Sequence, residues 1–392
     1  NIGLVGGSVS GADYVGGLVG QVSSGNISNA YATGTVSGNN YIGGLVGYFS
    51  GTGSLSQSYA TGNVSGVVAG SSYIGGLVGY NGSTLKNVHA TGNINLSYFG
   101  QYVGGLAGSN GSLYGYGLIS NTYATGNISA GVGSGGGANY VGGLVGQNSS
   151  YIETSYATGN LATDPDGGSM WAGGLVGRNG ESGKSGVIAN AYATGNVDGG
   201  LLGMYLGGLV GQNYGLPRPG AISNAYSTGH VSGTLGDYSG GSVGENNGFT
   251  LQGVYWNTET SGQSSAGAYT AGAIGLTSAQ MLQIGSFGGF NSIPFTCSGG
   301  CHAGISAIGG TGAVWRIYEG HTTPLLSVFL TPYTVNAQPD FDGSGAALAN
   351  IASVTVPTDP KILGSVTGGD TLTLAGLTAG GGYTASSNAD LS

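Results

Sequence analysis

A seven-residue phrase governs the first 250 residues of the chain. It reads Tyr14-Val15-Gly16-Gly17-Leu18-Val19-Gly20, and its double glycine returns at Gly43, Gly75, Gly104, Gly142, Gly173, Gly207 and Gly240. The 224 residues from Gly16 to Gly240 span seven intervals, a mean of 32. Self-similarity at such a period marks a solenoid, in which each unit is stable only by stacking on its neighbours. A second phrase interleaves with the first. Tyr31-Ala32-Thr33-Gly34 recurs at Tyr59, Tyr123, Tyr156 and Tyr192, in altered form at His89 and Tyr226, and as a relic in Tyr255-Trp256-Asn257-Thr258. A large aliphatic stands four residues before each copy (Ile27, Leu55, Leu85 and onward) and another five residues after (Val36, Val64, Ile94 and onward). Gaps between double glycines vary from 27 to 38 residues. The phrases therefore mark strands held in register, and the variable lengths, such as residues 161–170 and 180–186, bulge from turns.

The choice between strand and helix follows from glycine. A helical solenoid needs Ala, Leu, Glu and Lys at 3.6-residue spacing, whereas this chain has 88 Gly and only 5% charged residues. Glycine at that density destabilises helices but suits bulges, corners and close backbone approaches. The expected fold is all-β: a right-handed parallel β-helix-like solenoid of about eight 32-residue repeats, followed by a closing segment and a small β-sandwich-like module. Stacked coils place like above like. Tyr14, Tyr41, Tyr73, Tyr102, Tyr140, Trp171, Tyr205 and Tyr238 then form one aromatic ladder, and the Tyr31 series a second. Asn29, Asn87, Asn121, Asn190 and Asn224, interrupted by Gln57 and Thr154, predict an amide ladder that satisfies side chains otherwise costly to bury.

Three segments follow: repeats over 1–250, a solenoid-terminating segment with a short helix and a Cys loop over 251–330, and a small β module over 331–392. In the second, Thr277 or Ser278 is the expected N-cap of a helix through Leu282, with Gly285 as its terminator. Trp315-Arg316-Ile317-Tyr318 reads as a strand. The last 60 residues carry short Val/Thr/Leu strands and are small for an independent domain.

Six basic residues scattered over 392 argue against nucleic acid, whose phosphates require clustered Lys and Arg. The formal net charge of -9 is modest for the length, and the ordered phrases speak against disorder. No apolar run approaches the ~20 residues of a transmembrane helix. The chain opens on half a phrase, Asn1-Ile2-Gly3-Leu4-Val5-Gly6, which predicts a processed product or a piece of something longer.

Both phrases resemble the GLUG repeat of large bacterial exoproteins of the filamentous-haemagglutinin, two-partner-secretion type. The resemblance is dense over residues 1 to about 250. It continues through Val254-Tyr255-Trp256-Asn257, Gly275-Leu276-Thr277 and Trp315-Arg316-Ile317, which are similar to the segment that ends such arrays. Phe341-Asp342-Gly343 is similar to the small YDG-type β modules that come next, with Phe for the usual Tyr. The resemblance implies secretion across a Gram-negative outer membrane through a β-barrel partner, a location outside the cell or on its surface, and roles in adhesion, aggregation or biofilm matrix. Some immunoglobulin A peptidases also carry such repeats, but the His-Glu-x-x-His zinc motif is absent here.

Local chemistry is sparse. Cys297-Ser298-Gly299-Gly300-Cys301-His302 reads as a disulfide, Cys297 to Cys301, closing a small loop in an oxidising setting; haem attachment needs two residues between the cysteines, and a metal site lacks a fourth ligand. Asp164-Pro165-Asp166-Gly167 and Asp340-Phe341-Asp342-Gly343 open like calcium loops but lack the later ligands of an EF-hand, so turns are expected. His89 and His230 fall in or beside the tyrosine phrase, which predicts stacking or exposure rather than catalysis. Seven Asn-x-Ser sequons, at Asn26, Asn63, Asn81, Asn95, Asn110, Asn127 and Asn148, follow from composition. No cofactor and no enzymatic activity are expected. The candidate binding residues are tyrosines assigned to variable turns, Tyr48, Tyr80, Tyr98, Tyr114, Tyr116, Tyr151 and Tyr214, which could stack on sugars of a polysaccharide or cell-surface ligand. The sequence thus points to an extracellular structural or adhesive solenoid. Its alternative is self-association, as a filament subunit built by head-to-tail stacking.

Overall fold

The computed structural model describes residues 2–68, 70–98, 100–111, 117–130, 139–163, 170–200, 203–215, 221–233, 238–247, 251–294, 302–307, 312–333 and 354–357. Glycine-bounded runs of Val, Ile and Tyr form short strands, and the repeats wind them into a parallel β-solenoid. One full coil shows the plan. Strands Gly25–Ser28 and Ala30–Ala32 lie on a first sheet, Thr35–Gly38 on a second, Asn40–Gly43 on a third and Val46–Phe49 on a fourth. The first sheet has 13 strands and the other three have eight each. Their pairing is parallel throughout and joins equivalent residues: Tyr31 to Tyr59 to His89, Val36 to Val64 to Ile94, Ile42 to Ile74 to Val103. Insertions fall between strands and leave this register intact except at Met170 and Trp171, which pair with Gly203 and Tyr205 across a one-residue shift.

The bends have local causes. Asn29, Asn87, Asn121, Asn190 and Asn224 adopt left-handed backbone (φ 51 to 54°), which Asn tolerates better than most residues. They kink the first sheet once per coil. Gln57 and Thr154 take the same conformation at φ 48°. The amide ladder expected here forms only where Asn follows Asn: Asn121 Nδ2 donates to Asn87 Oδ1 at 3.2 Å and Asn224 Nδ2 to Asn190 Oδ1 at 3.3 Å.

Two apolar columns run along the axis. One joins the fourth sheet (Leu45, Val46, Leu77, Val78) to the aliphatics and alanines of the first (Leu55, Ala60, Leu85, Ala90). The other joins the second sheet (Val36, Val64, Ile94) to the third (Ile42, Ile74, Val103). Between them the section is pinched by the two phrases. A Cβ on Gly44, Gly76, Gly105, Gly143 or Gly174 would run into the carbonyl oxygen of the next coil's glycine, with the alanine of the tyrosine phrase also close (Ala60, Ala90, Ala124, Ala157, Ala193). Double glycine and Tyr-Ala-Thr-Gly recur together because each leaves room for the other.

The closing segment does two things. Residues 258–276 add a final partial turn: Ala273–Leu276 pairs with Leu251–Asn257, while the carbonyls of Ser261, Ser265 and Ala266 accept amides of Val231, Gly241 and Val243. Trp256 replaces the small partner of the double glycine, against Gly241, and plugs the pinch. The chain then folds back along the first sheet. Met281, Phe287, Phe290, Trp315, Ile317 and Leu326 bury against Tyr156, Tyr192, Tyr226 and Tyr255.

The expected helix is corrected in kind. It is one 3-10 turn, Gln280–Leu282, anchored by a reciprocal pair in which Gln280 N donates to Thr277 Oγ1 and Thr277 N to Gln280 Oε1. Gly285 does not end it, since a second 3-10 segment, Ile284–Asn291, runs through that position. In the C-terminal region, Leu330–Tyr333 pairs antiparallel with Val354–Pro357. The rest of the β module, with Asp340 and Asp342, lies outside the described residues, as do Asp164 and Asp166, Cys297 and Cys301.

Candidate functional site

The surface chemistry is laid out in columns, because each outward position repeats in every coil. On the third sheet, the aromatic ladder from Tyr14 to Tyr238 is continuous. Centroid separations are 4.9, 4.7, 4.7, 5.4, 5.1, 5.4 and 5.1 Å, and all pairs are stacked except the tilted Tyr140–Trp171. Aromatic pairs at 4.5–7 Å gain about 0.5–1.5 kcal/mol beyond burial. Burial pushes the hydroxyls of Tyr41, Tyr73 and Tyr102 above their ordinary value, reinforced by neighbouring tyrosines. The phenols therefore stay neutral.

On the first sheet, Tyr31, Tyr59, His89, Tyr123, Tyr156, Tyr192 and Tyr226 form the second ladder, at 5.4, 5.1, 4.7, 5.1, 4.8 and 5.1 Å. His89 is one of its rungs, as expected, and burial lowers its pKa. The folded-back segment covers part of this ladder. Phe329 meets Tyr123 and Tyr156 edge-on at 5.6 and 5.0 Å. Tyr226 Oη donates to the Pro324 carbonyl at 2.8 Å, and Trp315 Nε1 to Asn190 Oδ1 at 3.2 Å.

The candidate tyrosines divide. Tyr48 and Tyr80 do not lie in variable turns: they sit in strands Val46–Phe49 and Val78–Asn81. They stack on each other at 4.8 Å, edge-on to Tyr41 and Tyr73 at 5.3 and 6.0 Å, and Tyr80 is buried. Tyr151 opens the strand Tyr151–Ala157 and is half-buried. Tyr98 is exposed, at 46%. Tyr214 is half-buried, with the Arg178 guanidinium 4.3 Å from its ring centroid; the same guanidinium donates to Tyr140 Oη at 2.9 Å. Tyr114 and Tyr116 lie outside the described residues. Of the five described, Tyr48 and Tyr80 thus join the third-sheet ladder, and Tyr214 is linked to it through Arg178.

Two amide columns escaped the sequence reading. Asn81, Asn110, Asn148, Asn179, Asn213 and Asn246 are buried at the ends of fourth-sheet strands; the Nδ2 of each of the first five donates to the next Oδ1 at 2.7–2.8 Å, and that of Asn246 to the Tyr269 carbonyl at 3.0 Å. Each stands six residues after the first glycine of its pair, a spacing visible in the sequence once the phrase is extended. Burial also removes Asn81, Asn110 and Asn148 as glycosylation acceptors. In the other column the Oδ1 atoms of Asn63, Asn93, Asn127, Asn160 and Asn196 accept the backbone amide of the equivalent residue one coil on. Each follows the threonine of its tyrosine phrase by two residues.

Among the described residues, no group of three or more His, Cys, Asp or Glu could hold a metal ion, and no helix is long and apolar enough to cross a membrane. The sequence profile of the GLUG motif matches residues 11–37, 38–65, 70–95 and 203–232. Each matched stretch contains one double glycine, and the chain carries a GLUG-repeat region. No curated protein and no solved structure matches significantly.

Proposed function

We propose that this chain is a non-catalytic, extracellular structural and adhesive solenoid, which holds a contact surface away from its point of attachment. The observation that carries the reading is the eight-coil parallel stack with a surface nearly free of charge. Register-locked sheets and ladders give stiffness, and a neutral face of hydroxyls, amides and phenols approaches another neutral surface without electrostatic repulsion. Rings inside a ladder have both faces occupied, so contact falls to phenol edges and to aromatics outside the stacks, of which Tyr98 and Tyr269 are exposed. A polysaccharide or cell-surface ligand suits this chemistry. Export through an outer-membrane β-barrel partner of a Gram-negative cell, and a place in aggregates or biofilm matrix, belong to the same proposal and rest on the GLUG repeats.

The test is direct. Beads coated with the native protein are offered to bacterial and host cell layers and to immobilised polysaccharides, beside albumin-coated beads. The reading expects retention that does not weaken as salt is raised, since screening acts on charges. Retention no greater than that of albumin on every surface would sink it. Head-to-tail stacking receives less support: the partial turn at 258–276 already pairs with the last coil.

A further inference from the structure

The corner between the first and second sheets, like the double-glycine corner between the third and fourth, takes no insertion. From the tyrosine phrase to the next aliphatic the spacing is the same in all seven copies. A Cβ on Gly62, Gly92, Gly126, Gly159 or Gly195 would run into the carbonyl oxygen of the glycine one coil below, so the coils meet there backbone to backbone. Just before the glycine stands a threonine column, whose amides are held at 3.0–3.1 Å by carbonyls of the preceding coil (Thr61 to Ala32, Thr91 to Ala60, Thr125 to Ala90). Just after it stands the exposed Asn column, pinned by five hydrogen bonds of 2.9 Å from side-chain oxygen to backbone amide. Those bonds occupy Oδ1. The Nδ2 groups of Asn63, Asn93, Asn127, Asn160 and Asn196 face outward with no hydrogen-bond partner among the described residues. Two residues further on, Ser65, Asn95 and Ser129 continue the outward pattern.

The Asn column and the Ser65, Asn95 and Ser129 column make an array of short amide and hydroxyl groups, beside threonines that are exposed at Thr61 and Thr91 and whose hydroxyl is buried at Thr158. Its period along the solenoid axis is about 4.8 Å, the spacing between coils. No charged side chain enters it before Asp198. Its first five coils contain no aromatic ring on which a sugar could stack, and no Trp, Tyr or Arg of the kind that anchors protein interfaces. The array has repetition, pinned side chains and free donors at fixed spacing. A liquid or flexible partner gains little from such repetition; a crystalline partner gains from every group at once, because pinned groups lose little freedom on binding.

We propose that this face binds ice. Hexagonal ice presents planes whose oxygen rows repeat on the scale of the coil spacing, and its water molecules accept from amide Nδ2 groups and exchange hydrogen bonds with hydroxyls. The inference goes beyond the adhesive reading and does not depend on it.

The experiment is ice-affinity partitioning of the natively isolated chain into a slowly growing ice hemisphere, with recrystallisation inhibition measured in parallel. The native protein is expected to be taken up into the ice and to hold grains small. Asn95→Tyr and Ser129→Tyr, which place a bulky ring on the array and leave the pinned Asn column intact, should lose both effects. Lys86→Tyr, exposed on the first sheet, should keep them, and thermal unfolding monitored by circular dichroism confirms that each variant is folded. Exclusion of the native protein from ice to the extent of albumin overturns the proposal, as does equal partitioning of all three variants. Exclusion from ice together with retention on microcrystalline cellulose also overturns it and assigns the array to a polysaccharide lattice.

Discussion

At the scale of single residues, the solenoid depends on groups that have one partner above and one below. Asn148 receives Asn110 Nδ2, donates to Asn179 Oδ1 at 2.7 Å and accepts the Ser150 amide. Replacing it by Leu keeps volume but orphans buried neighbours, each worth roughly 1–3 kcal/mol. Asn148→Leu should therefore lower stability by about 2–4 kcal/mol in urea unfolding, whereas Asn26→Ala, on the exposed surface, should change little. Glycine follows the same logic. Gly105→Ala forces a Cβ onto the Gly143 carbonyl and the Ala124 methyl, and should cost about 3 kcal/mol or more; Gly285→Ala, with open space around it, should be near neutral. His89 adds a pH dependence. Burial depresses its folded pKa, so the unfolded chain binds the proton more readily, and stability falls as pH drops from about 6.5 through the folded value. His89→Tyr restores the ladder residue and should remove that share of the slope in melting temperature between pH 8 and 5. An unchanged slope would mean that other groups carry it.

At the scale of elements, the strands were legible because their markers keep fixed spacing. Ile27, Tyr31 and Val36 recur together, and the structure pairs each with its counterpart in the next coil. The alternation of inward Gly and Val with outward Thr and Asn is in the sequence as well, but Asn is common throughout the chain, so its buried column stands out only once the strands are stacked. The folded-back segment was not legible. Nothing near Trp315 announces that its indole will reach Asn190, 125 residues earlier, because that contact arises only after the coils exist. Nor does a single-sequence reading tell a capped α-helix from the 3-10 turn that Thr277 and Gln280 enclose. The segment should behave as a separate cooperative unit resting on the ladder. Trp315 is fully buried and stacks on Phe290 at 4.6 Å. Trp315→Ala should cost about 3–5 kcal/mol locally, opening residues 279–329 to protease and hydrogen exchange while amides of the first three coils exchange as before. Loss of protection throughout the chain would show instead that segment and coils unfold together.

At the scale of the whole molecule, the two ends of the solenoid differ. The sheets of the last coil are met by the carbonyls of Ser261, Ser265 and Ala266 and by the strand Ala273–Leu276. In the first coil, Ile2, Leu4 and Val5 are exposed, at 62, 39 and 74%. Open strand edges pair with other chains unless something occupies them. In a parallel stack, however, a first edge can be extended only by a last edge; two first edges brought face to face would run antiparallel and set unlike residues opposite one another. The closing turn therefore governs whether the last coil can be extended by another chain. With the turn in place, the full chain should sediment as a single species over a wide range of concentration. A chain ending at Asn257 exposes the strand Leu251–Asn257 and should form fibres whose growth depends on concentration, read by sedimentation and negative-stain electron microscopy. Adding the full chain to growing fibres should then slow them, since its first coil can add to a fibre's last edge and leaves the closing turn outermost. Fibres formed by the full chain itself would reverse the argument and make the filament reading the better account of what these coils are for.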